Sequence, residues 1–136
     1  MEIIEAKPAD SARRKRIDAW IEALSAAEAT ARAKVAADKK LFPRHFLINY
    51  RVGSEASATK GTETQRRGAL VEIIESLTPV EKHLSTSTWL VQLNIQQARE
   101  IRDLLAGPLD AALDGLHVTH ASKSNRAAFG KTDLKS

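Results

Sequence analysis

The chain has 136 residues, no cysteine and a formal net charge of +4, with a pI near 9.6. That length suits one domain around one core, the lack of cysteine excludes disulfides and thiolate chemistry, and no apolar run approaches the ~18 residues of a membrane helix. Glu2, Glu5 and Asp10 precede any cationic cluster, which is not the order of an export signal, so a cytoplasmic location is expected.

The charge is uneven. Lys plus Arg against Asp plus Glu count 10 to 7 over residues 1–44, 7 to 9 over 45–121 and 4 to 1 over 122–136. A slightly acidic middle lies between two basic flanks, and these are where counterions would be displaced by a phosphate-bearing partner. The alternative is that terminal Lys and Arg serve solubility alone.

From Ala9 to Lys40 there is no glycine or proline, alanine is frequent, and Ile17, Trp20, Ile21, Leu24, Ala27, Ala31 and Val35 recur at three- and four-residue steps. This predicts a long amphipathic helix, with Pro8 in its first turn and Pro43 just past its end. Its stripe can dock along its own domain or form an intermolecular coiled coil; Glu28 interrupts the heptad and favours the former.

HFLINYRV, residues 45–52, alternates Phe46, Ile48, Tyr50 and Val52 with Leu47, Asn49 and Arg51, as a strand with one buried face does. The small-residue loop 53–61 follows, mobile or ligand-facing. Thr62 with Gln65 then forms a capping box, and Leu70, Ile73, Ile74 and Leu77 give the next helix a core face. A strand is expected from Pro79 to Leu84, and Ser85-Thr86-Ser87 turns it back into a second. There Trp89, Val91 and Leu93 oppose Leu90 and Gln92. Asn94 is expected to cap a helix with Gln97 at the box position, Ile95, Ala98, Ile101, Leu104 and Leu105 facing inward, and Gly107-Pro108 as the stop. A helical turn over Leu109–Leu113, Gly115 and a last strand from Leu116 to Ala121 complete the expected elements.

This order predicts an α+β, ferredoxin-like βαββαβ core over residues 45–122: a four-stranded antiparallel sheet with two helices on one face. Residues 1–44 are a helical extension and 123–136 a basic tail. The open sheet face calls for a cover, which could be the N-terminal helix, the tail with Ala127, Ala128 and Phe129, or a second copy.

Chemistry is thinly signalled. Arg13, Arg14, Lys15 and Arg16 form the densest positive run, followed by Arg32, Lys34, Lys39, Lys40 and Arg44. Four consecutive helical cations point in all directions, so two or three at most can face one phosphate backbone. Trp20 falls in register with Ile17, Ile21 and Leu24, which favours a core role over base stacking. Lys60 in the 53–61 loop lacks the P-loop pattern, because Thr59 precedes it and Gly61 follows. His45, His83, His117 and His120 do not make a metal set, since His117 and His120 point to opposite faces of a strand. Asp110 and Asp114 border the Gly115 turn and are read as capping and solubility groups. No catalytic residue, metal or cofactor is assigned.

The stretch His83–Leu105, HLSTSTWLVQLNIQQAREIRDLL, resembles the SinR-like relatives of the small CRISPR-adaptation subunit, whose members carry a DSTWLV hairpin followed by a helix reading IRD. The matching residues are Thr86 to Val91 and Ile101-Arg102-Asp103, within a likeness over about residues 46–129 that ends on Arg126-Ala127-Ala128-Phe129-Gly130. It implies a dimeric ferredoxin-like protein with nucleic-acid binding or metal-dependent nuclease activity. In nuclease members an aspartate closes the first strand and holds a divalent metal. Arg51 stands at that position here, and a guanidinium would repel the ion.

The leading expectation is a non-catalytic, homodimeric nucleic-acid-associated protein that contacts phosphates of DNA or RNA without base specificity. The contacts would come from Arg13, Arg14, Lys15, Arg16, Lys39, Lys40, Arg44, Arg51 and the tail's Lys123 and Arg126. Two alternatives stand beside it: an interaction module docking residues 9–40 on a protein partner such as a host defence complex, and a VapD-like ribonuclease.

Overall fold

The computed structural model describes residues 8–77, 81–85 and 87–121. They form α1 (Pro8–Ala37), β1 (Arg44–Arg51), α2 (Glu63–Glu75), β2 (Glu81–Ser85), β3 (Thr88–Leu93), α3 (Ala98–Leu105) and β4 (Gly115–Ala121). The fold is α+β, with every strand pairing antiparallel and the order β2-β3-β1-β4. Thr78–Val80, Thr86 and the tail from Ser122, with Lys123, Arg126 and the Ala127–Phe129 cover, lie outside the described residues.

Alternation in β1 decides which sheet face is the core. Phe46 and Ile48 are fully buried, and register places Val91 and Trp89 of β3 beside them and His120 and Val118 of β4 on the other flank. Against this face pack Leu70, Ile73 and Ile74 of α2 and Ile101 and Leu105 of α3, all fully buried. Aliphatic side chains buried to this extent are each worth roughly 1.5–3 kcal/mol. The opposite face carries Leu47 and Leu90 and, exposed, Asn49, Arg51, Gln92, His117 and Thr119. β2 is held more loosely than its neighbours, matching β3 at Glu81↔Leu90 and Ser85↔Thr88 with a register break between.

α2 starts where its capping box predicts. Thr62 Oγ1 accepts from Gln65 N at 3.1 Å and Gln65 Oε1 accepts from Thr62 N at 3.0 Å. α3 does not. It begins at Ala98 with Gln97 as an N-cap that makes no side-chain bond, so the expected Asn94–Gln97 box is absent. Asn94 N and Nδ2 and Ile95 N donate instead to the carboxylate of Glu28 in α1. A charged acceptor from a neighbouring helix outcompetes a neutral local cap, because charge-assisted bonds are about twice as strong.

The same contact settles how α1 docks. The helix packs on α2 and α3, with Ile17 and Leu24 buried and Trp20, Ile21, Ala27 and Ala31 around them. Its stripe therefore lies along its own domain, on the helical side and not across the open sheet face. α1 ends at Ala37, three residues earlier than expected, because Asp38 Oδ1 takes Lys40 N at 2.9 Å and turns the chain. The expected helical turn at Leu109–Leu113 is a pair of hydrogen-bonded turns, closed by Leu109 N to Ala106 O and Asp114 N to Asp110 O.

Candidate nucleic-acid interface

The loop between β1 and α2 is built around a buried ion pair. Arg66, fully buried on α2, donates from Nε to Asp114 Oδ2 at 3.0 Å and from Nη2 to Asp114 Oδ1 at 3.1 Å. Its remaining N–H groups reach Gly61 O and Gly53 O. Asp114 also accepts from Gly53 N and Asp110 N, so each of its oxygens has two donors. Asp110 in turn accepts from Ser57 Oγ at 2.7 Å and from Ala112 N.

These contacts fix the ionisation of both acids. Burial would raise Asp114, but Arg66 and the backbone N–H groups of Asp110 and Gly53 hold it below the usual carboxylate range. The Ser57 hydroxyl and Ala112 N–H do the same for Asp110, and Asp114 raises the Arg66 guanidinium. Asp110 does cap its turn, accepting from Ala112 N at 2.9 Å, whereas the reading of Asp114 as a solubility group is thereby corrected, since it has no exposed side-chain surface. Its tie to Arg66 crosses 48 residues of sequence, which no local pattern discloses.

The loop is consequently ordered. Ser57 and Gly61 bridge backbone to backbone, and Gly61 sits at φ +100, which suits glycine alone. Lys60 reaches across to the turn after α3. Its Nζ donates to Gly107 O at 2.8 Å and lies 5.7 Å from the Trp20 ring centroid. Around that ammonium, Arg13 and Arg16 of α1 border a small cleft with Trp20, Gln65 and Pro108. Among the described residues no carboxylate pairs with Lys60 or Arg16.

The eight candidate contacts among the described residues do not form one surface. Arg14 turns to Asp18 at 2.8 Å and to Glu72 of α2 at 2.5 Å, which hold its guanidinium still more firmly protonated. Lys15 is exposed on another side of the helix. Lys39 and Lys40 lie beyond the far end of α1, whose 30 residues span roughly 45 Å. Arg44 is near them, bonded through Nε to Gln96 Oε1 at 2.7 Å. Arg51 is exposed at the end of β1, on the open face. Trp20 is half-buried against the core, as its register predicts.

The histidines behave as strand residues. His117 and His120 occupy opposite faces, and His120 stacks on Phe46 with ring centroids 4.8 Å apart. Among the described residues no three His, Asp or Glu side chains are placed to hold a metal ion, and no helix is long and apolar enough to cross a membrane. No protein-family model, curated protein or solved structure matches the chain.

Proposed function

We propose that this is a non-catalytic phosphate-binding protein that associates with nucleic acid through its backbone, without reading sequence. The observation that carries the reading is the convergence of Arg13 and Arg16 from α1 with Lys60 from the β1–α2 loop. Three cations brought from two segments to one cleft, on a rigid support, is what backbone recognition requires. Lys39, Lys40 and Arg44 provide a second cationic group at the other end of α1.

The strand order β2-β3-β1-β4 supports the ferredoxin-like reading, and with it the likeness to the SinR-like relatives. Arg51 at the close of β1 supports the non-catalytic part. So does Asp114, next to Arg51's strand partner Gly115, because both its oxygens are already occupied. On the open face the paired Leu47 and Leu90 are half-buried and buried, and what it offers to solvent is Asn49, Arg51, Gln92, His117 and Thr119, an exposed set more polar than the centre of an obligate dimer. The proposal accordingly does not depend on a second copy. Nor does it use α1 as bait for a protein, since the helix's apolar stripe is committed to α2 and α3.

The test is fluorescence anisotropy of labelled 20-base-pair DNA and single-stranded RNA at low salt with Mg²⁺ present, the same samples then run on a denaturing gel. Binding with intact probe is expected. Chelator-sensitive cleavage would contradict the non-catalytic part, and no binding to either probe would contradict the whole.

A further inference from the structure

Among the described residues one large hydrophobic side chain is exposed: Phe42, at 56 %. It lies in the link Asp38-Lys39-Lys40-Leu41-Phe42-Pro43 between α1 and β1, which opens on Arg44. A phenylalanine 56 % exposed forgoes about half of the roughly 1.5–3 kcal/mol that full burial gives. A link needing only to turn the chain gains nothing from it.

The backbone that carries the ring is held on both sides. Leu41 N bonds Asp38 O at 3.0 Å and Lys40 N bonds Asp38 Oδ1 at 2.9 Å, which closes the chain on the N-terminal side. On the other side one amide, that of Gln96, carries the rest. Its Nε2 donates to Phe42 O and to Asn94 O, each at 2.9 Å, and its Oε1 accepts from Arg44 Nε at 2.7 Å. Arg44, so positioned, has its guanidinium carbon 5.0 Å from the Phe42 ring centroid. The aromatic is therefore presented with a cation against it, and Lys39 and Lys40 are exposed in the same link. Among the described residues none of these three cations is paired with a carboxylate.

The geometry points to a stacking site for an unpaired base of a single-stranded nucleic acid, with the base on the Phe42 ring and flanking phosphates against Lys39 and Lys40. Each part of the ligand meets its complement: a π-face for the base, backed by Arg44, and point charges for the phosphates. A duplex does not fit the same role, because its bases are already stacked inside and only its phosphates are offered. The charge favours a polyanion over a protein partner: Lys39, Lys40 and Arg44 set three cations about one ring, none paired with a carboxylate among the described residues, which complements a run of phosphates. The inference rests on the phosphate-binding reading but not on the Arg13, Arg16 and Lys60 cleft, which lies toward the other end of α1.

The experiment compares the full chain with Phe42→Leu and Phe42→Trp on three labelled probes: single-stranded oligo-U, the same length of abasic sugar-phosphate, and a 20-base-pair duplex. The expected result is that Phe42→Leu weakens oligo-U binding by roughly 5- to 100-fold, the range of one base–aromatic stack. Abasic and duplex affinities stay unchanged, and Phe42→Trp restores or exceeds the original oligo-U affinity. Equal oligo-U binding by Phe42→Leu and the original chain overturns the stacking site while leaving the phosphate reading intact. An equal loss on all three probes also overturns it. Failure of the original chain to bind any probe overturns both.

Discussion

Replacing Glu28 by alanine tests how α1 is held, and its cost can be worked from the contacts. The carboxylate accepts Asn94 N at 2.8 and 3.0 Å, Asn94 Nδ2 at 2.6 Å and Ile95 N at 3.1 Å. Alanine leaves two backbone N–H groups without this partner at a half-buried junction. A buried donor stripped of its partner costs about 1–3 kcal/mol, with the low end applying where water can enter. Two such donors at the low end give about 2 kcal/mol for Glu28→Ala. Glu28→Gln should fall between, since its amide oxygen still accepts but its NH₂ opposes a donor. Asn94→Ala, which removes only the Nδ2 bond, should cost about 0.5–1.5 kcal/mol. Combined with Glu28→Ala it should add less than that, because the pair shares one interaction. Urea unfolding read by circular dichroism supplies the free energies, and amide hydrogen exchange at Asn94 and Ile95 supplies the local readout. A Glu28→Ala loss under about 0.5 kcal/mol, the size of an ordinary surface change, with both amides still protected, would refute the docking argument.

Three further outcomes follow from the same contacts. Gly107→Ala places a Cβ against Nε1 and Cε2 of Trp20, so it should destabilise by about 1–3 kcal/mol and shift tryptophan emission; an unchanged urea midpoint and spectrum would contradict this packing. Asp110 and Asp114 titrate below the ordinary value of 3.8, so their contribution is complete above that value and is lost as pH falls through the lowered folded values. The urea midpoint should therefore drop steeply in acid and less steeply in Asp114→Asn, and parallel pH profiles for the two proteins would count against the Arg66 lock. Arg16→Glu should leave stability within about 0.5 kcal/mol, since the residue is exposed, while weakening duplex and single-strand binding alike; a selective effect on one probe would contradict backbone recognition.

What the sequence discloses is what lies within a turn or a strand of itself. Thr62 and Gln65 are three residues apart, and their box forms as written. Phe46, Ile48 and Tyr50 announce the buried face of β1 by alternation, and the face is buried. Pairings across the chain are hidden. Glu28 looks like a blemish in a heptad because its partners are 66 and 67 residues away, and Asn94 looks like a cap because nothing local shows that an acid from α1 will take its N–H. Arg66 and Asp114 each resemble a surface charge until the fold buries them together.

The interface is legible in part for the same reason. Three-residue spacing on a helix places Arg13 and Arg16 on one face, so half of the basic run could be separated from Arg14 and Lys15 by period alone. Their meeting with Lys60 could not, because it depends on a loop shaped by Ser57, Gly61 and Arg66. Phe42 carries a signal in the sequence, an aromatic set among Lys39, Lys40 and Arg44, but nothing local shows that its ring stays exposed while Trp20 packs on the core.

The central claim, that this fold presents cations to a phosphate backbone, is tested most directly by the salt dependence of duplex binding for the original chain and for Arg16→Glu. The account predicts that log K falls linearly with log salt, and that Arg16→Glu lowers the magnitude of that slope by about 1, the loss of one phosphate contact. Binding that is indifferent to salt, or a slope unchanged by Arg16→Glu, would contradict it.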